Sequence, residues 1–175
     1  VIAERPADLV ALSSSHTGRV IFEDVEVDRK WLLGGPAENV MATGVGAKTG
    51  GLQTSTLAVG LASGAIEFLE AESAKRDDLV LAMEALKQEY AELRDQLIQA
   101  AAGEIECSNE QVRTSANSLV LRATQASLAA AKGAGFVTGH PAGRWCREAL
   151  FFMVWSCPQP IAQAHLCELA FGTHS

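Results

Sequence analysis

From Leu52 onward the apolar residues fall at steps of three and four, and each periodic stretch predicts a helix. Leu52 to Arg76 reads as a first long helix, with Gly60, Ala62, Ser63 and Gly64 at its middle. Glycine inside a helix costs about 1 kcal/mol relative to alanine, so two so close together suggest that another backbone passes nearby. Asp77 and Asp78 read as a break and an N-cap. Leu79, Met83, Leu86, Tyr90, Leu93 and Leu97 then alternate four and three apart, which is the seam of left-handed helix packing. A third helix opens at "SNEQ", where Ser108 and Gln111 have the spacing of a capping box. Down one of its faces run Val112, Ala116, Leu119, Ala123, Ala126 and Ala130, small enough for a neighbour to approach closely. Gly133 and Gly135 suit its C-terminal cap. Pro141 and Pro158 stand where first-turn prolines are tolerated, opening a fourth helix (141–155) and a fifth (158–171). Short connections between long amphipathic helices predict an antiparallel bundle of four or five helices.

Ahead of Gly34 and Gly35 the pattern is different. "GRVIFEDVEVD" alternates Val20, Phe22, Val25 and Val27 with charges and reads as a strand. Trp31, Leu32 and Leu33 form an apolar plug after it. A strand or two cannot stand alone, so this segment is expected to lean on the helices or on further sheet. The fold class is therefore mainly α. Residues 1–35 form a short β remnant and linker, and residues 36–175 the helical bundle. Val1, where a Met would start a chain, reads as a cut end.

Composition narrows the partners. Of 175 residues, 48% are hydrophobic and 20% charged, enough for a real core, and the net charge of −7 argues against nucleic acid. No apolar run approaches the roughly 20 residues that span a bilayer, and no signal peptide opens the chain. Cys107, Cys146, Cys157 and Cys167 contain no C-x-x-C pair and read as reduced thiols, which points to the cytoplasm. His16, His140, His165 and His174 lack metal-ligand spacing, so no metal is expected.

The candidate chemistry is sparse. "TGVGAKTGG" is rich in glycine and precedes a helix, but lacks the spacing of a phosphate loop. In "VWSCPQPIA" an apolar run meets Ser156 and Cys157 just before Pro158. Ser156 can be read as a nucleophile or as an N-cap; no nucleophile elbow surrounds it, and its place favours the cap.

The order "VIFEDVEVDRKWLLGG", "LAVGLASGAIEFL", "AKR", a helical hairpin, "GAGF", "PAGRWCREA" and "VWSCPQPI" resembles the last strands and C-terminal helical domain of the acyl-CoA dehydrogenase family, from about Gly18 to the end. The resemblance implies FAD as cofactor and a homo-oligomer, a dimer or a tetramer, formed through the bundle. It aligns Arg76 with an Arg that reaches the flavin of a neighbouring subunit, though Leu79 and Val80 replace the Phe-Gly after it. Gly133, Gly135 and Phe136 match the second half of a turn against the flavin phosphates, with Lys132 in place of its first Gly and Ala129 in place of a Gln. Arg144, Arg147 and Glu148 match a structural Arg-x-x-Arg-Asp helix. Trp155 falls just before the family's catalytic Glu, whose position is Ser156. Cys157 and Pro158 replace the Gly-Thr that follows, and proline cannot replace the missing donor. A second branch keeps its base at the start of the first long helix; that position is Gly50, and the Arg beside it is Gly51. The hairpin is also shorter than the family's. Neither location of the base holds a carboxylate, so the catalytic base is unknown. The implied function is an FAD-dependent oxidoreductase acting on acyl-CoA, its base lost and this segment alone inactive. Two other readings stand beside it: a flavin monooxygenase on the same fold, taking an aromatic substrate, and a non-catalytic oligomerisation domain.

Overall fold

The computed structural model describes residues 1–38, 52–155 and 157–172. The chain divides into two compact units, Val1–Lys48 and Thr49–Ser175. Gly50, Gly51, Ser156 and the glycine-rich stretch 43–51 lie outside the described residues.

In the first unit, β1 (Ile2–Ala3) pairs antiparallel with β2 (Val20–Ile21), Ile2 opposite Ile21 and Ala3 opposite Val20. The strand expected to continue to Val27 stops at Ile21. Phe22, Val25, Val27, Trp31, Leu32 and Leu33 are all exposed, so the anticipated apolar plug does not form among the described residues. A two-residue ladder gives a ribbon with no second layer, and nothing in it buries the alternating face.

The second unit is helical. Its described residues form α1 (Leu52–Ser73), α2 (Val80–Ala102), α3 (Asn109–Ala131), α4 (Pro141–Ala149), the single turn α5 (Phe151–Val154) and α6 (Gln159–Phe171). Cross-helix pairs fix their directions. Lys87 of α2 meets Glu70 near the end of α1, and Arg122 of α3 meets Glu89 of α2. Cys146 of α4 meets the Thr124 carbonyl of α3, and Glu168 of α6 meets Ser118. Successive long helices therefore alternate in direction, as short connections require.

Helix α3 is the axis of the unit. Val112, Ala116, Leu119, Val120, Ala123 and Ala130 are buried along it, and α1 lays Ala58, Ala62, Ala65, Ile66 and Leu69 against it. Alanine on both surfaces lets the backbones approach until the Ser127 hydroxyl on α3 donates to the Ala65 carbonyl on α1 at 2.6 Å. Leu86, Leu93 and Leu97 of the expected seam are buried, with Leu79, Met83 and Tyr90 packed beside them. Ser108 caps α3 by accepting the Gln111 amide at 3.4 Å.

Three helix ends differ from the sequence expectation. Helix α1 stops at Ser73, and Asp77–Leu79 form a 3-10 turn instead of a side-chain cap. The fourth helix breaks at Leu150, where the ladder tightens to a Met153 N–H donating to the Leu150 carbonyl. Helix α6 begins at Gln159 with Pro158, not Ser156, at the cap position, and Pro160 in the first turn. The alanine stripe from Ala116 to Ala130 receives α1 closely, as expected. The backbone expected beside Gly60 and Gly64 is not found among the described residues: a Cβ at Gly60 would meet nothing, and one at Gly64 only the Trp145 ring at 3.9 Å.

Leu119 is fully buried at the centre of α3, whereas Leu166 on α6 is 66% exposed. Leu119→Ala is expected to lower stability by ~2–5 kcal/mol through lost contacts and a residual cavity. Leu166→Ala is expected to stay within ~0.5 kcal/mol. Urea midpoints measure both, and equal losses at the two positions would contradict the central placement of α3.

Candidate functional site

The corner between α5 and α6 is held by side chains buried in α3. Arg113 and Asn117 lie one turn apart and are both fully buried. Arg113 Nε donates to Asn117 Oδ1 at 3.0 Å, and its Nη2 donates to the Trp155 carbonyl at 3.4 Å. Asn117 Nδ2 donates to the Phe152 carbonyl at 2.8 Å and faces His165 Nε2 of α6 at 3.0 Å. The corner is thus gripped by its main chain, through two carbonyls that a helix end leaves free.

Two polar atoms of this cluster have no hydrogen-bond partner among the described residues, Arg113 Nη1 and His165 Nδ1. The second lies 3.8 Å from Glu168 Oε2. Burial pushes the Arg113 guanidinium below its ordinary pKa, partly offset by the nearby Cys157. Burial also pushes the His165 imidazole down, opposed by Glu168 and reinforced by Arg113. A buried charge without a full set of partners is costly, which is the physical cause of both shifts.

A polar chain runs outward from the cluster. Glu168 accepts from the Ser118 hydroxyl at 2.5 Å and lies 3.7 Å from Arg122 Nε, and Arg122 reaches Glu89 on α2. The cluster therefore ties α3 to α6, and through Arg122 to α2.

The residues expected to hold a cofactor divide. Arg76 Nη1 donates to the Ala130 carbonyl at 2.7 Å, at the end of α3, and Nη2 pairs with Asp78 at 3.4 Å. Arg76 is thereby brought beside the Lys132–Phe136 turn, with two of its five N–H donors used within the chain. Gly135 is buried in that turn, and a Cβ there would lie 2.6 Å from Leu128 Cδ1. The Gly135 carbonyl in turn sits where a Cβ on Gly143 of α4 would fall, at 2.3 Å. Gly143 is required by the packing of α4 on the turn, because its Cβ would meet main chain; at Gly135 the nearest obstacle is the movable tip of Leu128, with Ala131 Cβ at 3.1 Å. Gly133 is different, since a Cβ there would meet nothing. With Gln125, Leu128, Ala129, Lys132 and Phe136 it lines an open groove of about 480 Å³. Of the family-like helix, Arg144 lies 3.7 Å from Glu148, and Arg147 donates to the Gly143 carbonyl.

The two positions matched to the family's base, Ser156 and Gly50, lie outside the described residues. Among the described residues no group of three or more His, Cys, Asp or Glu side chains is arranged to hold a metal, and no helix is long and apolar enough to cross a membrane. Cys107, Cys146, Cys157 and Cys167 are free thiols. Burial raises the pKa of Cys146, whose thiol donates to the Thr124 carbonyl.

Sequence reasoning missed the Arg113–Asn117–His165 cluster. Its signal was present: Arg113 and Asn117 follow Val112 and Ala116, so they share the edge of the buried stripe. Asn117→Leu leaves Arg113 Nε, the Phe152 carbonyl and one His165 nitrogen without partners. A buried group left unpaired costs ~1–3 kcal/mol, so a loss of about 3 kcal/mol or more is expected. Ser115→Ala, exposed on the same helix, is expected to change stability by less than ~0.5 kcal/mol. Chemical denaturation of both variants decides, and similar small losses would remove the cluster's structural role.

Compared with protein families, with curated proteins and with solved structures, the chain matches none.

Proposed function

We propose that the chain is the C-terminal helical part of an FAD-dependent oxidoreductase resembling the acyl-CoA dehydrogenases, in which the family's catalytic base has been lost. The reading rests first on the order of sequence motifs. The observation that carries it is the meeting of Arg76 with the Ala130 carbonyl, beside the Lys132–Phe136 turn. Two motifs that the resemblance assigns to one cofactor lie 54 residues apart and converge at one end of the bundle.

The fit of this chain to a flavin is partial. Lys132 and Gly133 stand open on the groove, Lys132 offering a cation and Gly133 an unobstructed main chain. Phe136, 87% exposed, offers an apolar flank. Gly135 and Arg76 serve the chain's own packing, so they support the turn that carries Lys132 and Gly133. When bound, FAD would supply the hydride acceptor. Abstraction of the substrate α-proton needs a base, and neither Ser156 nor Gly50 provides one.

A non-catalytic oligomerisation domain is a second reading. It is favoured by the exposed Phe136, Val137, Val154 and Trp155.

Flavin content separates the two readings. The longer protein carrying this segment is expected to copurify with FAD, and a colourless protein that stays colourless with excess FAD would overturn the proposal. The segment alone is not expected to bleach FAD with acyl-CoA. In the longer protein, Ser156→Glu is expected to raise acyl-CoA-dependent bleaching by up to ~10²–10⁴-fold, the usual contribution of a positioned base. Rapid bleaching by the unaltered protein would place the base elsewhere.

A further inference from the structure

The hydrogen bonds around Asn117 leave its orientation no freedom. Arg113 Nε can only donate, so the atom facing it is the amide oxygen; the Phe152 carbonyl can only accept, so the atom facing it is the amide nitrogen. The same nitrogen faces His165 Nε2 at 3.0 Å. His165 Nε2 must then be the acceptor, and the neutral ring carries its proton on Nδ1. That proton has no hydrogen-bond partner among the described residues, and Glu168 Oε2 lies 3.8 Å from Nδ1.

We propose that His165 is a proton-operated latch: a proton taken up at Nε2 sets donor against donor at Asn117 and frees α6, with the Phe152 and Trp155 carbonyls, from α3. The proton comes from solvent and no bond other than N–H is formed. The charged groups around the ring define the response. Arg113 of α3 opposes the added charge, Glu168 of α6 attracts it, and Arg122 of α3 and Glu89 of α2 act through Glu168. The corner adds Cys157, whose charge acts on Arg113. Glu168 accepts from Ser118 through Oε1, so Oε2 is the oxygen that draws the imidazolium away from Asn117. Trp155 and Gln159 are four positions apart, so α6 cannot leave α3 without pulling on the corner.

The direction follows from linkage. Burial depresses the pKa of His165 in the closed form, while in the opened form the ring regains water and its ordinary value of about 6.5. Above that pH both forms are neutral and the latch is fully closed. Below it only the opened form takes the proton, so opening grows by about tenfold per pH unit until the depressed value is reached.

Amide hydrogen exchange on the chain, corrected for the intrinsic effect of pH, tests the latch. The Trp155 amide, bonded to the Phe151 carbonyl, and the Ala162 amide, bonded to the Pro158 carbonyl, are the reporters. Their protection is expected to be nearly flat from pH 8 to 7 and to fall about fivefold from pH 6.5 to 5.5, with α1 amides unchanged. His165→Gln, which carries no titrating proton, is expected to abolish the fall. A fall that persists in that variant, or one shared equally by α1, overturns the proposal. Nitrogen NMR of the unaltered chain at pH 7.5 is an independent check that survives misfolding of the variant. The proton is expected on Nδ1, and a proton on Nε2 overturns the proposal.

Discussion

A helix enclosed by its neighbours has no water to offer its polar side chains, and this constraint on α3 organises the second unit. Arg113, Asn117, Ser118, Thr124 and Ser127 are all buried on it. Each must find a partner in the protein or cost free energy. Thr124 donates to the Val120 and Leu121 carbonyls of its own turn, so its hydroxyl ties α3 to no neighbour. Ser127 uses α1, Ser118 uses α6, and Arg113 and Asn117 use the corner. The places where neighbouring helices meet α3 are thus marked by its polar residues, while alanine sets how close they come.

The corner is held through its carbonyls, and this has a consequence for chemistry. A carbonyl is the same whatever side chain its residue carries. The grip of Arg113 and Asn117 on Phe152 and Trp155 therefore places no demand on which side chains the corner bears. The side chains of the corner can change while the backbone bonds that hold it persist. The cost falls on α3, where a guanidinium is buried with one Nη unpartnered among the described residues. Removing one member of a buried polar set is far more damaging than replacing the whole set with apolar residues.

What was legible in the sequence follows from which forces are local. The seam from Leu79 to Leu97, the Ser108 cap and the stripe from Val112 to Ala130 depend on spacing along one helix, and the structure bears them out. The ends of elements depend on tertiary partners. Asp77 and Asp78 are good caps in isolation, yet the chain after Ser73 turns through a 3-10 segment and Arg76 swings to the Ala130 carbonyl. The break at Leu150 cannot be seen in "EALFFMVW", because its partners are Arg113 and Asn117, about 35 to 42 residues away. The strand was overread because alternation reports a half-buried face only where a second layer covers it. The buried cluster was missed because arginine is a surface residue by habit, and only the contact with the corner overrides that prior.

The turn from Lys132 to Phe136 shows how one motif can carry two meanings. Gly143 is demanded by the packing of α4 on the turn, where a Cβ would collide with the Gly135 carbonyl, and Gly135 lies tight against Leu128 and Ala131. That closeness exists with or without a ligand, so the match of Gly135 to a phosphate-binding turn adds little evidence for a flavin. Gly133 meets no such obstacle, and Lys132 beside it takes a positive φ of 52° that a side chain rarely adopts. Lys132 takes that φ as the C-terminal cap of α3, its amide bonded to the Ala129 carbonyl, so what the packing leaves free for a ligand is the Lys132 side chain and the open main chain of Gly133.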